Sequence, residues 1–140
     1  MDDTDAGHRI LPHTADVMIE AWAPTRVRCF EEAARAFIET FAEVRDVPAT
    51  EPVSVGIDAA SDIEMLAALL DEIIFLVDVA STIPVHLTLD ESDDGGIAGV
   101  FDVAPVDALD IIGPLPKGVS HGGEFIEESG MWRCRVVAAV

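Results

Sequence analysis

Two segments with helical periodicity, set among short alternating segments, constrain the fold of this sequence more than any other feature. The first carries apolar residues at intervals of three and four, which share one helical face: Val27, Phe30, Ala34, Phe37, Phe41 and Val44. Thr25 could cap its N-terminus, and Pro48 lies beyond its end. The second, about residues 62–77, follows Ser61, and Glu64 three residues later completes a capping-box pattern. Both segments therefore predict helices.

Segments in which apolar and polar residues alternate predict strands on both sides of these helices. They span residues 8–11, 16–23, 53–57, 84–90, 97–103, 119–126 and 131–140. The turn residues 93–96 indicate a hairpin, and residues 104–116, with three prolines, predict an irregular crossing. Because strands and helices do not alternate regularly, a doubly wound parallel sheet is disfavoured. We expect an α+β fold, with two helices packed on a mostly antiparallel β-sheet.

The length of 140 residues suits one domain, and half of them are hydrophobic. We expect residues 1–7 to form an acidic flexible tail and residues 8–140 to form the single domain. The tail does not resemble a signal peptide. The apolar stretch 65–77 is interrupted by Asp71 and Glu72 and is too short to span a bilayer, which needs ~20 residues. We therefore expect no membrane contact and a cytoplasmic protein.

The charge balance excludes one class of partner. The chain has 27 acidic and 8 basic residues, a formal net charge of −19. A chain this acidic repels phosphate backbones, so strong direct binding of nucleic acid is not expected. Cations and basic protein surfaces are the favoured partners, and much of the charge would simply be solvated.

Three patterns that suggest chemistry have plain structural explanations. Residues 118–122 match Gly-x-Ser-x-Gly, but strand-like residues follow Ser120 and no histidine follows His121, so a serine hydrolase is disfavoured. The acidic stretch 90–96 lacks the alternating ligands of a calcium loop and predicts a solvated hairpin tip. Cys29 and Cys134 stand far apart and predict two buried thiols.

The four histidines have no metal-ligand spacing in the sequence. They are His8, His13, His86 and His121. His86 lies on a predicted strand and is expected at the surface. His13 is different, because His13-Thr14-Ala15-Asp16 is a small-residue turn that could present an imidazole and a carboxylate together where a strand begins.

With its surroundings, this tetrapeptide resembles the signature of the archease family. The resemblance begins at Pro12-His13-Thr14-Ala15-Asp16 and covers about residues 8–140. It continues through residues 30–37, 62–66, 70–78, Lys117-Gly118-Val119-Ser120 and Trp132. The fold that it implies agrees with the α+β interpretation above.

The resemblance implies an accessory protein rather than an enzyme. Archeases assist RtcB-type RNA ligases in tRNA splicing and RNA repair, by promoting guanylylation and repeated turnover of the ligase. They bind calcium or another divalent metal, and the resemblance assigns Asp16 as one ligand and the backbone oxygen of Val140 as another. The family's second aspartate is Ala139 here, so we expect weakened or lost metal binding. His13 and Lys117 would lie on the functional surface.

Two function hypotheses therefore stand. In the first, the chain activates an RtcB-type ligase through protein–protein contact, for which its acidity suits docking on a basic RNA-binding enzyme. In the second, it is a diverged binding domain that keeps the archease fold and has lost metal-dependent activation, which Ala139 favours. A serine hydrolase built on Ser120 is a third hypothesis, which we expect to fail.

Overall fold

The computed structural model describes residues 5–13, 16–120 and 122–140, and it has the expected α+β architecture. Its two helices are α1, Arg26–Glu39, and α2, Asp62–Ala80. Its strands are β1 Gly7–His13, β2 Asp16–Ala23, β3 Ala42–Glu43, β4 Glu51–Ile57, β5 Thr82–Glu91, β6 Ile97–Pro105, β7 Asp110–Ile111, β8 Gly118–Val119, β9 Glu124–Glu128 and β10 Met131–Ala139. A short 3-10 helix covers Val106–Ala108.

Within the described ranges the strands form two sheets and a ribbon rather than the single sheet expected from the sequence. The first sheet has five strands, in the order β1-β2-β10-β8, with β9 also paired to β10. The second has three, in the order β4-β6-β5, and β3 pairs with β7 in a two-stranded ribbon. Every pair within the described ranges is antiparallel. In the second sheet β6 is the central strand, with β4 on one side and β5 on the other.

Helix α1 begins as predicted but ends five residues earlier than its apolar stripe suggested. The hydroxyl of Thr25 accepts the backbone N–H of Arg28 at 3.3 Å, which confirms the N-cap. At the other end, the hydroxyl of Thr40 donates to the carbonyl of Phe37 at 2.7 Å. The chain then turns, and Phe41 is still buried although it lies outside the helix. Val44 follows the ribbon strand β3 and is half-buried.

Helix α2 follows the prediction more closely. The Ser61 hydroxyl accepts the backbone N–H of Glu64 at 3.2 Å, as the capping-box pattern required. The helix extends to Ala80, and Ser81 ends it in the left-handed conformation with φ 55°. Among the described residues, neither helix is long and apolar enough to cross a membrane.

The strand predicted over residues 119–126 is wrong, because it is two strands, β8 and β9, separated by a turn. The Ser120 hydroxyl accepts the backbone N–H of Gly122 at 3.0 Å, which bends the chain. At Gly123 the backbone runs against β10: a Cβ atom there would lie 2.1 Å from the carbonyl oxygen of Arg135. Only glycine can lie this close to the backbone of β10, and the strand predicted over residues 119–126 is interrupted at this position.

Helix α1 packs against both sheets and forms the centre of the core. It contacts β2 of the first sheet and β5 of the second. The largest fully buried side chains come from α1 and the turn after it, from α2 and from both sheets: Phe30, Phe37, Phe41, Phe101, Ile19, Leu66, Leu69, Leu70, Ile73, Ile83, Leu87 and Ile97. Of the expected tail, residues 1–4 lie outside the described part, while Ala6 packs against the core and β1 begins at Gly7.

Candidate functional site

One end of the first sheet collects the residues that the sequence singled out. Asp16 begins β2 and pairs in register with Ala139 near the end of β10. In the other direction Asp16 pairs with His13, the last residue of β1. Asp16 is half-buried, and Ala139 is exposed. Residues that are 123 positions apart in sequence (139 − 16) are thus direct cross-strand neighbours.

Backbone hydrogen bonds bring Lys117 to the same place. The backbone N–H of Lys117 donates to the carbonyl of Ala139 at 2.6 Å. The N–H of Ser120 donates to the carbonyl of Val137 at 2.8 Å, so β8 is held along the end of β10. Lys117 is exposed there, and Val140 follows Ala139 at the surface. The structure therefore brings His13, Asp16, Lys117, Ala139 and Val140 to one end of the sheet; Thr14 and Ala15 of the signature lie outside the described residues.

The other candidate residues lie apart from this end or have structural roles. Ser120 is exposed and its hydroxyl caps the turn to Gly122; no helix follows it within the described residues, and its neighbour His121 lies outside them.

His86 and the acidic hairpin tip also lie apart from this end of the sheet. His86 is exposed on β5 as predicted. The hairpin tip is exposed, and the Ser92 hydroxyl and the Gly96 N–H donate to Asp94, which lowers the pKa of that carboxyl.

Both cysteines are buried free thiols, as predicted. The thiol of Cys29 donates to the carbonyl of Ala21 at 3.7 Å, and Ala21 is the register partner of Cys134. The neighbouring thiol of Cys134, together with burial, raises the pKa of Cys29 far above its usual range. A thiol in this state is a poor nucleophile, so the pair is part of the core.

The fold assembles a network of titratable side chains between β1 and α1 that no pattern in the sequence indicates. The ring of His8 lies 2.8 Å from a Glu32 oxygen and 3.1 Å from a Glu39 oxygen, and Arg35 pairs with Glu32 at 2.9 Å. The hydrogen bond to Glu32 raises the pKa of His8, and the same bond lowers the pKa of Glu32. The partners stand 24 and 31 residues apart in sequence, so only the fold reveals them.

A second missed cluster surrounds Arg26 at the start of α1. Its guanidinium pairs with Asp62, at the start of α2, at 2.8 Å, and with Glu91 of β5. It also donates to the carbonyl of Gly95 at 3.2 Å and lies over the ring of Phe30, 5.3 Å from its centre. Asp62 and Glu91 are both paired with this arginine, so the cluster links both helices to the hairpin. The two carboxylates are therefore not available as ligands for a metal ion.

Comparison with known proteins decides the family. The sequence model of the archease protein family matches residues 8–140. The chain is 37% identical over 138 residues to the "Probable protein archease" of Mycobacterium tuberculosis strain CDC 1551 / Oshkosh, covering 98% of this chain and 76% of that protein. The protein of the same name in strain H37Rv matches equally well. The chain belongs to the archease family.

Two solved structures share the archease fold. The solution structure of Methanobacterium thermoautotrophicum protein 1598 has a TM-score of 0.73 and 23% identity, covering 96% of this chain and 99% of that one. The crystal structure of a Thermotoga maritima protein, described as an archease and possible chaperone, has a TM-score of 0.66 and 14% identity, with coverage of 94% and 96%. At these identities the likeness shows the fold alone, and it confirms the α+β prediction.

The side chains at the archease site offer few oxygen ligands for a divalent cation. Hard cations such as calcium take six to eight oxygens, usually including several carboxylates. Among the described residues at this end of the sheet, Asp16 supplies a carboxylate, whereas Ala139 has only a methyl group. No group of three His, Cys, Asp or Glu side chains within the described ranges could hold a metal ion. The described donor set therefore does not fit a complete cation site.

Proposed function

We propose that this archease is an accessory protein of an RtcB-type RNA ligase, which it activates by promoting guanylylation of the ligase in tRNA splicing or RNA repair. The observation that carries the proposal is the meeting of Asp16, Ala139 and Lys117 at one end of the first sheet, in a chain that matches the family over residues 8–140. The proposal places the chain in the cytoplasm with the ligase and assigns it no catalysis of its own.

Charge supports docking on the ligase. An RNA-binding enzyme needs a basic surface, and a chain with net charge −19 is attracted to it over several ångströms of solvent. Asp16 would present its carboxylate to the ligase, and the exposed Lys117 would contact the rim of the same interface. No step of the proposal requires a bound metal.

The test mixes the pure chain with the RtcB-type ligase of the same organism and GTP, and measures covalent guanylylation. We expect stimulation by the native chain and a loss of it in Asp16→Asn. The matched control is Asp90→Asn, since Asp90 also faces an alanine across a strand pair, Ala98, in the second sheet. Equal stimulation by both variants would remove Asp16 from the site, and no stimulation by the native chain would contradict the proposed function.

A weak divalent cation site is a separate part of the proposal. If Asp16 is a remaining ligand, Ala139→Asp should tighten calcium binding, and Asp16→Asn in that background should undo the gain, because both side chains would contact one ion. Calorimetry on the four variants measures this coupling, and Ala98→Asp controls for added charge. With 27 acidic residues some loose binding is expected, so only binding that resists added salt counts. No change in Ala139→Asp would contradict the assignment.

Ala139 also favours a second function. A family member without this carboxylate could keep the fold and the binding surface while losing metal-dependent activation. In that case the chain binds the ligase without raising guanylylation, and Ala139→Asp restores stimulation. The same assay with a binding measurement separates the two functions.

A further inference from the structure

The outer face of the first sheet, which points away from α1, is built in rows that run across the strands. Direct partners in antiparallel strands point to the same side of a sheet. Ile19, Ala21 and Ala23 on β2 are buried toward α1, so the residues between them face outward. Starting from the end with Asp16, the outward rows are Leu11, Met18 and Val137; then Arg9, Glu20, Arg135 and Glu124; then Trp22, Arg133 and Ile126.

The apolar residues of these rows are large and partly open to solvent. Leu11, Met18, Trp22 and Val137 are half-buried, and Ile126 is 40% exposed. The ring of Trp22 lies against Gly7, where a Cβ atom would come within 2.6 Å of it. Tryptophan, methionine and arginine, which this face carries, are residue types enriched in protein–protein interfaces.

Within the described part of the chain, one arginine of the outer face differs from the other arginines in its ion pairing. It holds three of the seven arginines of a very acidic chain. Arg26, Arg35 and Arg45 each pair with a carboxylate at 3.4 Å or less. On the outer face, Arg9 and Arg135 share Glu20, at 3.9 and 3.4 Å. Arg133 has no carboxylate within ion-pair distance in the described part of the chain.

We propose that the outer face of the first sheet docks against the protein surface of the RNA ligase. The inference rests on the proposed function and extends it, because the Asp16 row continues directly into these three rows. Arg9 and Arg135 alternate with Glu20 and Glu124 along the second row, so a phosphate backbone would meet a carboxylate beside each of these two arginines. A protein surface can match alternating charges one by one. The occupant is therefore protein, with apolar side chains opposite Met18 and Val137 and a carboxylate opposite Arg133.

The test compares two sheets with the same substitution. Val137→Asp charges the apolar row; Val100→Asp is the matched control, a half-buried valine between Ser54 and Thr88 on the outer face of the second sheet. Arg133→Glu, at an exposed position, serves where Val137→Asp fails to fold. Calorimetry with the ligase measures affinity, and the guanylylation assay measures stimulation. We expect affinity to fall on the order of tenfold or more in Val137→Asp and Arg133→Glu and to be unchanged in Val100→Asp.

The outcomes separate this inference from the proposed function. A native chain that neither binds nor stimulates the ligase overturns both, since the partner is then wrong. A native chain that stimulates, together with outer-face variants that bind as well as it does, overturns the docking face alone. Sedimentation of the chain by itself and titration of a labelled single-stranded RNA complete the test. Self-association or RNA binding that is lost in Val137→Asp or Arg133→Glu, with ligase binding intact, also overturns the inference.

Discussion

The inner faces of the two sheets both pack against α1, but their outer faces differ in residue composition. The outer rows of the second sheet carry small or polar residues around a single valine: Pro52, Ser54, Gly56, His86, Thr88, Asp90, Ala98, Val100 and Asp102. The outer rows of the first sheet carry Trp22, Met18 and Val137 among arginines. Water can solvate the second face at little cost, whereas the first exposes side chains that are more stable when covered. The difference indicates that one sheet supports the fold and the other also presents a surface.

The largest effect on stability is expected in α1, because both sheets pack against this helix. Phe37 of α1 is fully buried and packs edge-on against Phe41, with ring centres 5.9 Å apart. Phe37→Ala should therefore lower the free energy of unfolding by ~3–5 kcal/mol. Urea unfolding followed by circular dichroism measures it. A loss below about 1 kcal/mol would contradict the placement of Phe37 in the core.

A smaller effect should separate the second sheet from α1. The buried carboxylate of Glu31 accepts the backbone N–H of Leu89 in β5 at 2.8 Å and lies 3.1 Å from Arg28. Glu31→Ala leaves that N–H without its acceptor, so we expect a loss of about 1–3 kcal/mol in urea unfolding. Amide hydrogen exchange should speed up at Leu89 and in β5 before β2. Equal acceleration in both sheets would contradict a local role for Glu31.

The contacts of His8 in β1 with the carboxylates of α1 should contribute to stability in a way that depends on pH. The raised pKa of His8 contributes stability that is complete below pH 6.5 and is lost as the pH rises through that pKa. The lowered pKa of Glu32 contributes stability that is complete above pH 4.5 and is lost as the pH falls through it. Both contributions are present between these values. The substitution His8→Gln should therefore lower the free energy of unfolding most at about pH 5.5, by about 1 kcal/mol, and by less at about pH 8. Urea unfolding of both chains at the two pH values checks this; a cost that grows with pH would contradict it.

The smallest effect concerns the charged row of the outer face. Arg9 and Arg135 are more than half exposed, and their pairs with Glu20 are solvent-screened. Glu20→Gln should change stability by less than about 1 kcal/mol, yet it should weaken binding to the ligase if the row meets matching charges. Thermal unfolding and calorimetry together measure the contrast. A large loss of stability with unchanged binding would make the row a structural feature and remove the difference between the faces.

Local signals in the sequence explain most of the fold. Thr25 and Ser61 marked both helix starts because their hydroxyl oxygens are placed to accept backbone N–H groups. The end of α1 was missed because Phe41 and Val44 continue the helical spacing while the backbone has already turned at Thr40. The split between β8 and β9 was missed because the close approach of β10 to Gly123 is a long-range contact.

The candidate site was predictable only in part. The resemblance assigned five positions to the site: His13, Asp16, Lys117, Ala139 and Val140. The structure brings them to one end of the first sheet, but no local pattern in the sequence reveals which strand pairs with β2. The same limit applies to His8, whose partners lie on a helix more than twenty residues away. Rows across a sheet follow from strand order, which periodicity does not contain.

The central position of β10 has a consequence for the order in which the protein can form on the ribosome. β10 lies between β2 and the β8 and β9 strands, and Glu20 of β2 and Arg135 of β10, which are paired side by side, are 115 residues apart. At ~5–20 residues per second, β2 emerges several seconds before its neighbour is synthesised. During that interval the edge of β2 that β10 will later cover stays open. A nascent chain stopped before residue 131 therefore has helices and a second sheet to fold, but neither the Asp16–Ala139 pair nor a complete outer face, and its exposed hairpin edge is a target for chaperones or aggregation.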